Sequence, residues 1–200
     1  MEYLSKLFGS PARVKLLRLF LFNPDEVYGR DDIVAVSRIT PNTASKELAA
    51  LTRAGLVKRK TFTKEIPQAT GKSPKKRKAL GYMFDPKFPY TEALVTFLSS
   101  TLVVSDVEIR KRFKGVGMVR KLVLSGFLVG HAEGMLDLLI VGRLNEVAVQ
   151  NAVAHLEAEC GRAIRYTILT GDEYEYRLRA RDKLIRDVFD HTHRLLIDKH

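Results

Sequence analysis

Residues 40–57 read TPNTASKELAALTRAGLV, and the first half of the chain is organised around them. Thr40 is a good N-cap, and Pro41 follows at the first helical position, where its missing N–H costs nothing. Ala44, Leu48 and Leu51 recur at the spacing of one helical face, so the stretch predicts an amphipathic helix. Asn42, Thr43, Ser45, Lys46 and Arg53 fall off that apolar stripe. Gly55 supplies a C-terminal stop, and Leu56-Val57 open an extended basic run.

Working outward, Ser10-Pro11 opens an earlier helix with Val14, Leu17 and Leu21 on one face, ended by Asn23-Pro24. Val27-Tyr28 fits a very short strand. Arg30 to Val36 predicts a second helix, and Ser37-Arg38-Ile39 the turn into the helix quoted first. Val57 to Phe62 and Ala79 to Phe84 predict two strands. The intervening TKEIPQATGKSPKKRK is polar and charged enough to predict a long mobile loop.

Charge is placed unevenly. The 200-residue chain carries 34 Lys/Arg and 23 Asp/Glu, a formal net charge of +11. Residues 1–88 hold 18 basic and 8 acidic side chains, whereas residues 119–200 hold 12 of each. The excess therefore sits with the first half and points to an anionic partner there.

Helix, helix, tight turn, helix and a basic hairpin form the order of a helix-turn-helix with a wing. With Ser45-Lys46-Glu47-Leu48, Leu51 and Ala54-Gly55-Leu56-Val57, this order resembles the winged-helix family of bacterial and archaeal regulators over roughly residues 4–88. The resemblance implies a recognition helix in the major groove of double-stranded DNA and a wing along the backbone or minor groove. Asn42, Thr43 and Lys46 are the candidates for base-edge contact. Thr40 stands at the start of that helix. Arg38, Ser45, Arg53, Lys58, Arg59 and Lys60 are the candidates for phosphate contact. Lys75, Lys76, Arg77 and Lys78 are expected to grip phosphates from the wing; a nuclear import signal is the alternative use of such a run.

Beyond Asp85-Pro86 the character changes. Tyr90 to Ser100 predicts a helix, serving either a dimer interface or domain packing. Ser105 to Glu108 has capping-box spacing and opens another helix, ending near Phe113. Val119 to Val129, Met135 to Val141 and Ala163 to Leu169 predict strands. Helices are expected over Glu146–Glu159, Asp172–Ala180 and Lys183–Ile197. The expectation is an α+β chain: an N-terminal winged helix-turn-helix over 1–88, a helical linker over 89–118, and a small α/β domain over 119–200.

Within 119–200, Ser125-Gly126, the loop Gly130–Gly134, Leu136-Asp137-Leu138-Leu139-Ile140-Val141, Gly161-Arg162 and Glu173 resemble the minimal nucleotidyltransferase fold. That family carries Gly-Ser after its first strand, two aspartates one residue apart and a third carboxylate on a later strand. Together these hold two divalent metals for phosphoryl transfer. Here Ser-Gly replaces Gly-Ser, Met135 stands in the partner position of Asp137, and Ala163–Leu169 has no carboxylate. One carboxylate cannot hold two metals, so the expectation is an inherited fold without enzyme activity, with no metal or cofactor site.

Other candidates are weaker. His191 and His193, two apart on an expected helix, do not share a face. His131 and Glu133 could hydrogen-bond a small ligand. Gly71-Lys72-Ser73 lacks the strand-before, helix-after setting of a phosphate loop. The single Cys160 excludes an internal disulfide and reads as a buried thiol. No apolar run is long enough to span a membrane, and a cytoplasmic location is expected. The expected function is a sequence-specific DNA-binding regulator. It is expected to be a homodimer, with a small-molecule or protein partner at the C-terminal domain. The rivals are an active nucleotidyltransferase targeted by its nucleic-acid-binding arm, and an RNA-binding module.

Overall fold

The computed structural model describes residues 2–66, 75–102, 105–131 and 134–199. The protein is mixed α+β with two sheets. Its contacts divide it into two units, Met1–Val95 with Glu157–Arg162, and Thr96–Leu156 with Ala163–His200.

In the first unit, helices α1 (Glu2–Phe8) and α2 (Pro11–Phe22) precede the two-residue strand β1 (Tyr28–Gly29). Helices α3 (Arg30–Ser37) and α4 (Pro41–Arg53) follow, then strands β2 (Val57–Ile66) and β3 (Lys75–Phe84). The Ser10 hydroxyl accepts from Arg13 N and caps α2, and Thr40 accepts from Thr43 N and caps α4. Between α3 and α4 the chain turns sharply because Arg38 adopts a left-handed conformation at φ 48°, letting Ile39 N donate back to Val34 O. Gly55, at φ 76°, ends α4 in the same manner, with Leu56 N donating to Leu51 O.

The core of this unit joins Val14, Leu16, Leu17 and Phe20 of α2, Ile33 of α3, and Ala44, Leu48 and Leu51 of α4. Leu56, Val57 and Phe84 complete it, all buried. Each large side chain so buried contributes about 1.5–3 kcal/mol. The sheet runs in the order β1-β3-β2, antiparallel throughout. β2 and β3 pair without a break from Val57↔Phe84 to Ile66↔Lys75. The hairpin is therefore longer than its sequence suggests: Thr63–Ile66 and Lys75–Lys78, expected in a loop, are strand. The remainder of that loop, 67–74, lies outside the described residues, as does Gly71-Lys72-Ser73. Helix α1 was not expected from the sequence.

The first unit also takes in Glu157–Arg162. The guanidinium of Arg18 donates to Glu159 O at 2.8 Å, and the amide of Asn23 bridges Leu19 O and Gly161 O, both at 2.7 Å. Gly161 has φ 72°, and an added Cβ there would fall 2.6 Å from the Arg18 carbonyl carbon.

The second unit holds α6 (Asp106–Arg112), β4 (Gly117–Leu124), a 3-10 turn (Gly126–Val129) and β5 (Leu138–Leu144). β6 (Tyr166–Leu169), α8 (Gly171–Arg179), α9 (Lys183–Asp190) and β7 (Arg194–Asp198) follow. Helices α5 (Thr91–Ser100) and α7 (Glu146–Cys160) contribute their buried Leu98, and Val149, Val153 and Leu156, to this unit. The sheet order is β6-β5-β4-β7, with β5 parallel to β6 and the other pairs antiparallel. Alternation sends Val123, Leu139 and Val141 to one face, where they pack with Leu169, Tyr174, Ile185 and Val188. Leu122, Leu124, Leu138 and Ile140 take the other face and are fully buried, so the central strands are covered on both sides.

Four expectations change here. The third strand begins at Tyr166, not Ala163. The first strand stops at Leu124, because Gly126 at φ 54° turns the chain into the 3-10 turn. The next strand begins at Leu138, not Met135. The helix expected over Lys183–Ile197 ends at Asp190, and Arg194–Asp198 is a fourth strand paired with β4.

Candidate nucleic-acid interface

At about 100° per residue, Asn42, Lys46, Ala49 and Arg53 fall within about 60° of one another on α4. All four are exposed, and they lie diametrically opposite the buried Ala44, Leu48 and Leu51. Thr40 and Pro41 are exposed at the helix start, where the Thr40 and Thr43 hydroxyls share a 2.8 Å hydrogen bond. The Ser45 hydroxyl donates to Pro41 O at 2.9 Å, so its proton is already used within the helix.

An ion pair with a buried carboxylate ties the opposite side of α4 to α2. Glu47 lies on the back of α4, 3% exposed. Its carboxylate accepts from Arg13 Nε and from the Ser10 hydroxyl, each at 2.7 Å. The same guanidinium donates to Phe8 O at 2.9 Å. Ser10 thus caps α2 and anchors α4 at once. The pairing of Glu47 with Arg13 and Ser10 was not expected from the sequence, although Glu47 within an otherwise apolar back face is the signal.

Beside the exposed stripe lies a cleft of about 530 Å3 lined by Arg30, Ser45, Leu48, Ala49, Thr52, Arg53, Arg59 and Tyr82. Three guanidiniums meet there, and no carboxylate is among the lining residues. The strand register explains the membership. Arg59 faces Tyr82 across the β2–β3 pair, so the two share one face of the hairpin with Lys76 and Lys78. Lys58, Lys60, Lys75 and Arg77 point to the other face. A run of adjacent basic residues is thereby split, and only Arg59 of Lys58-Arg59-Lys60 reaches the cleft. Lys58 instead donates to Asp85 at 3.3 Å. Lys64, on the same face as Arg77, donates to Asp32 at 2.7 Å, a bond that raises the pKa of its ammonium. Arg30 and Tyr82 are cleft residues the sequence reading missed. Arg30 opens α3 directly after β1, so its place beside α4 depends on how the two helices pack. Arg38 is exposed at the turn between them. Lys75, Lys76, Arg77 and Lys78 are all exposed.

In the second unit, Asp137 is the residue on which a transferase reading would rest. It is fully buried, and its carboxylate accepts from Phe127 N at 3.3 Å and from Arg165 N, Nε and Nη2 at 2.9, 2.9 and 2.7 Å. Four donors use the acceptor capacity of a carboxylate, leaving none directed at a metal. The remaining nitrogen of Arg165 donates to Gly134 O at 2.5 Å, and the carboxylate holds the guanidinium pKa above its ordinary value. Gly126 admits this arrangement because a Cβ there would strike Asp137 Oδ1. The segment Ala163–Leu169, expected to be a strand without a carboxylate, is strand only from Tyr166, and Arg165 just before it supplies the partner of Asp137. Asp137 therefore ties together the segments that carry Phe127 and Arg165.

His191 and His193 lie beyond the end of α9, which corrects their expected helical setting. Their Nδ1 atoms contact Asp187 O at 2.8 Å and His191 O at 2.9 Å. No group of three or more potential metal ligands occurs among the described residues. Glu133 lies outside them. Cys160 is buried. No helix among the described residues is long and apolar enough to cross a membrane. No family model matches the chain, and neither a curated protein nor a solved structure matches it.

Proposed function

We propose that the protein is a sequence-specific DNA-binding transcriptional regulator with a winged helix-turn-helix in its first unit. The observation that carries this reading is the stripe Asn42, Lys46, Ala49 and Arg53, set opposite the buried face of α4 and flanked by the three-arginine cleft. A helix needs an outward polar ridge to enter a major groove about 12 Å wide, and it needs adjacent cations to seat it on phosphates. Asn42 and Lys46 read base edges, with Ala49 supplying a small apolar contact for a thymine methyl. Arg30, Arg53 and Arg59 take backbone phosphate, and the hairpin extends along the duplex with Lys76 and Lys78 on the face it shares with Arg59.

The protein acts as a homodimer, since two half-sites multiply both affinity and specificity. The second unit is a nucleotidyltransferase-like domain without transferase activity, serving sensing or docking. The saturation of Asp137 by Arg165 supports this over the rival of a targeted, active transferase. Selection of bound sequences from random duplex DNA tests the central claim. A shared motif with two half-sites is the expected result, and recovery of unselected sequence, or preferential retention of structured RNA over duplex, would overturn it.

A further inference from the structure

The second unit carries an open groove of about 550 Å3 where the end of α6, the start of β4 and the end of β7 meet. Its floor is apolar: Phe113 and Val119 are buried, and Ile197 is half-buried beside them. Val107 and Met118 stand on its margin, 73% and 68% exposed. Four cations, Arg110, Lys111, Lys114 and Lys199, complete the lining, and no acidic residue is part of it. Arg110 and Lys111 complement the negative C-terminal end of α6, which accounts for two of the four. Lys114 and Lys199 lie outside any helix and converge on the same opening.

We propose that this groove binds a small amphiphilic carboxylate, with its aliphatic body on Phe113, Met118, Val119 and Ile197 and its headgroup among the four cations. A groove of this volume lies in the range of small-molecule sites, which combine an apolar lining with a few placed polar groups. Lys114 and Lys199, with no helix end to account for them and no acidic residue in the lining, select an anion. The two exposed apolar side chains gain burial when an alkyl chain lies against them. Arg110 supplies the planar donor fork suited to a carboxylate, and the lysines supply field. This groove belongs to the second unit and does not depend on the DNA-binding reading proposed for the first.

Calorimetric titration of the full chain with decanoate, decanol and acetate, below the micellar range, tests the proposal. Decanoate is expected to bind at one site, with acetate and decanol each at least about tenfold weaker. The double variant Lys114→Gln, Lys199→Gln should weaken decanoate about tenfold while its thermal melt is unchanged, and Met118→Ser should weaken decanoate with little effect on acetate. Equal binding of decanol and decanoate would overturn the proposal, as would undiminished binding in the double variant. Displacement of decanoate by an acidic peptide of higher affinity would also overturn it, making the groove a protein-docking surface.

Discussion

Arg13 on α2 and Glu47 on α4 form a 2.7 Å ion pair whose carboxylate is almost completely buried. The pair ties the helix that presents Asn42 and Lys46 to α2, whose Val14, Leu16, Leu17 and Phe20 are buried in the core, and the Ser10 hydroxyl occupies the second carboxylate oxygen. Replacing Glu47 by Ala strands the Arg13 charge in a partly covered site. Removing one partner of a buried pair costs several kcal/mol, but Arg13 keeps 33% of its side chain in water. A loss of about 2 kcal/mol is therefore expected, read from the urea midpoint. An unchanged midpoint would show that the pair does not anchor α4.

Arg165 and Asp137 make the corresponding clamp in the second unit. Arg165→Met leaves a buried carboxylate facing only backbone donors, and about 3 kcal/mol should be lost in chemical denaturation. Asp137→Asn should cost less, because an amide oxygen still accepts from the backbone. Magnesium-dependent nucleotidyl transfer that Asp137→Asn abolishes without unfolding the chain would refute the inactive-domain reading.

Base-edge and phosphate contacts separate by their salt response. Asn42→Ala and Lys46→Ala should reduce the ratio of specific to non-specific affinity, by about 1–3 kcal/mol for each lost base contact. Arg30→Ala and Arg59→Ala should weaken all duplexes alike and reduce the slope of log affinity against log salt by about 0.9 for each phosphate released. Retention of full sequence preference in the first pair would move the reading head elsewhere on the unit.

The hairpin permits a face-specific comparison. Lys76→Gln with Lys78→Gln removes charge from the face carrying Arg59, and Lys75→Gln with Arg77→Gln removes it from the opposite face. The first pair is expected to weaken DNA binding more than the second in a gel-shift titration. Equal losses would mean the charge acts as a diffuse field.

Acid sensitivity has a traceable contribution at α8. Glu173 accepts from the backbone N–H of Thr170 and from its hydroxyl, and these bonds hold its pKa below the ordinary glutamate value. A lowered folded-state pKa contributes stability that is present above the unfolded value and is lost as pH falls through the folded one. Melting temperatures of the natural chain and of Glu173→Gln should therefore differ at neutral pH and converge on acidification below the ordinary glutamate range. A constant offset across that window would show that the cap does not titrate.

Helices α2, α3 and α4 were legible because their signals are local: Ser10-Pro11 and Thr40-Pro41 at the starts, apolar residues at helical spacing, and Gly55 at an end. The hairpin was legible only near its base. Lys75–Lys78 read as loop by composition, yet a strand with solvated side chains tolerates charge, and their pairing with Thr63–Ile66 carries the ladder outward. β7 was read as helix because Leu195, Leu196 and Ile197 have no decisive period of their own; its state depends on β4, some seventy residues earlier in the chain.

The sequence by itself determined the helix presenting Asn42 and Lys46, the concentration of positive charge in the first half, and the presence of Met135 rather than a second carboxylate two residues before Asp137. These follow from composition and from spacings within a few residues. Only the tertiary structure decided that Arg59 reaches the cleft while Lys58 and Lys60 turn away, that Arg30 and Tyr82 join it, and that Asp137 is saturated by Arg165. Those outcomes depend on strand register and on helix packing, which bring together residues far apart in the chain and leave no local pattern from which to read them.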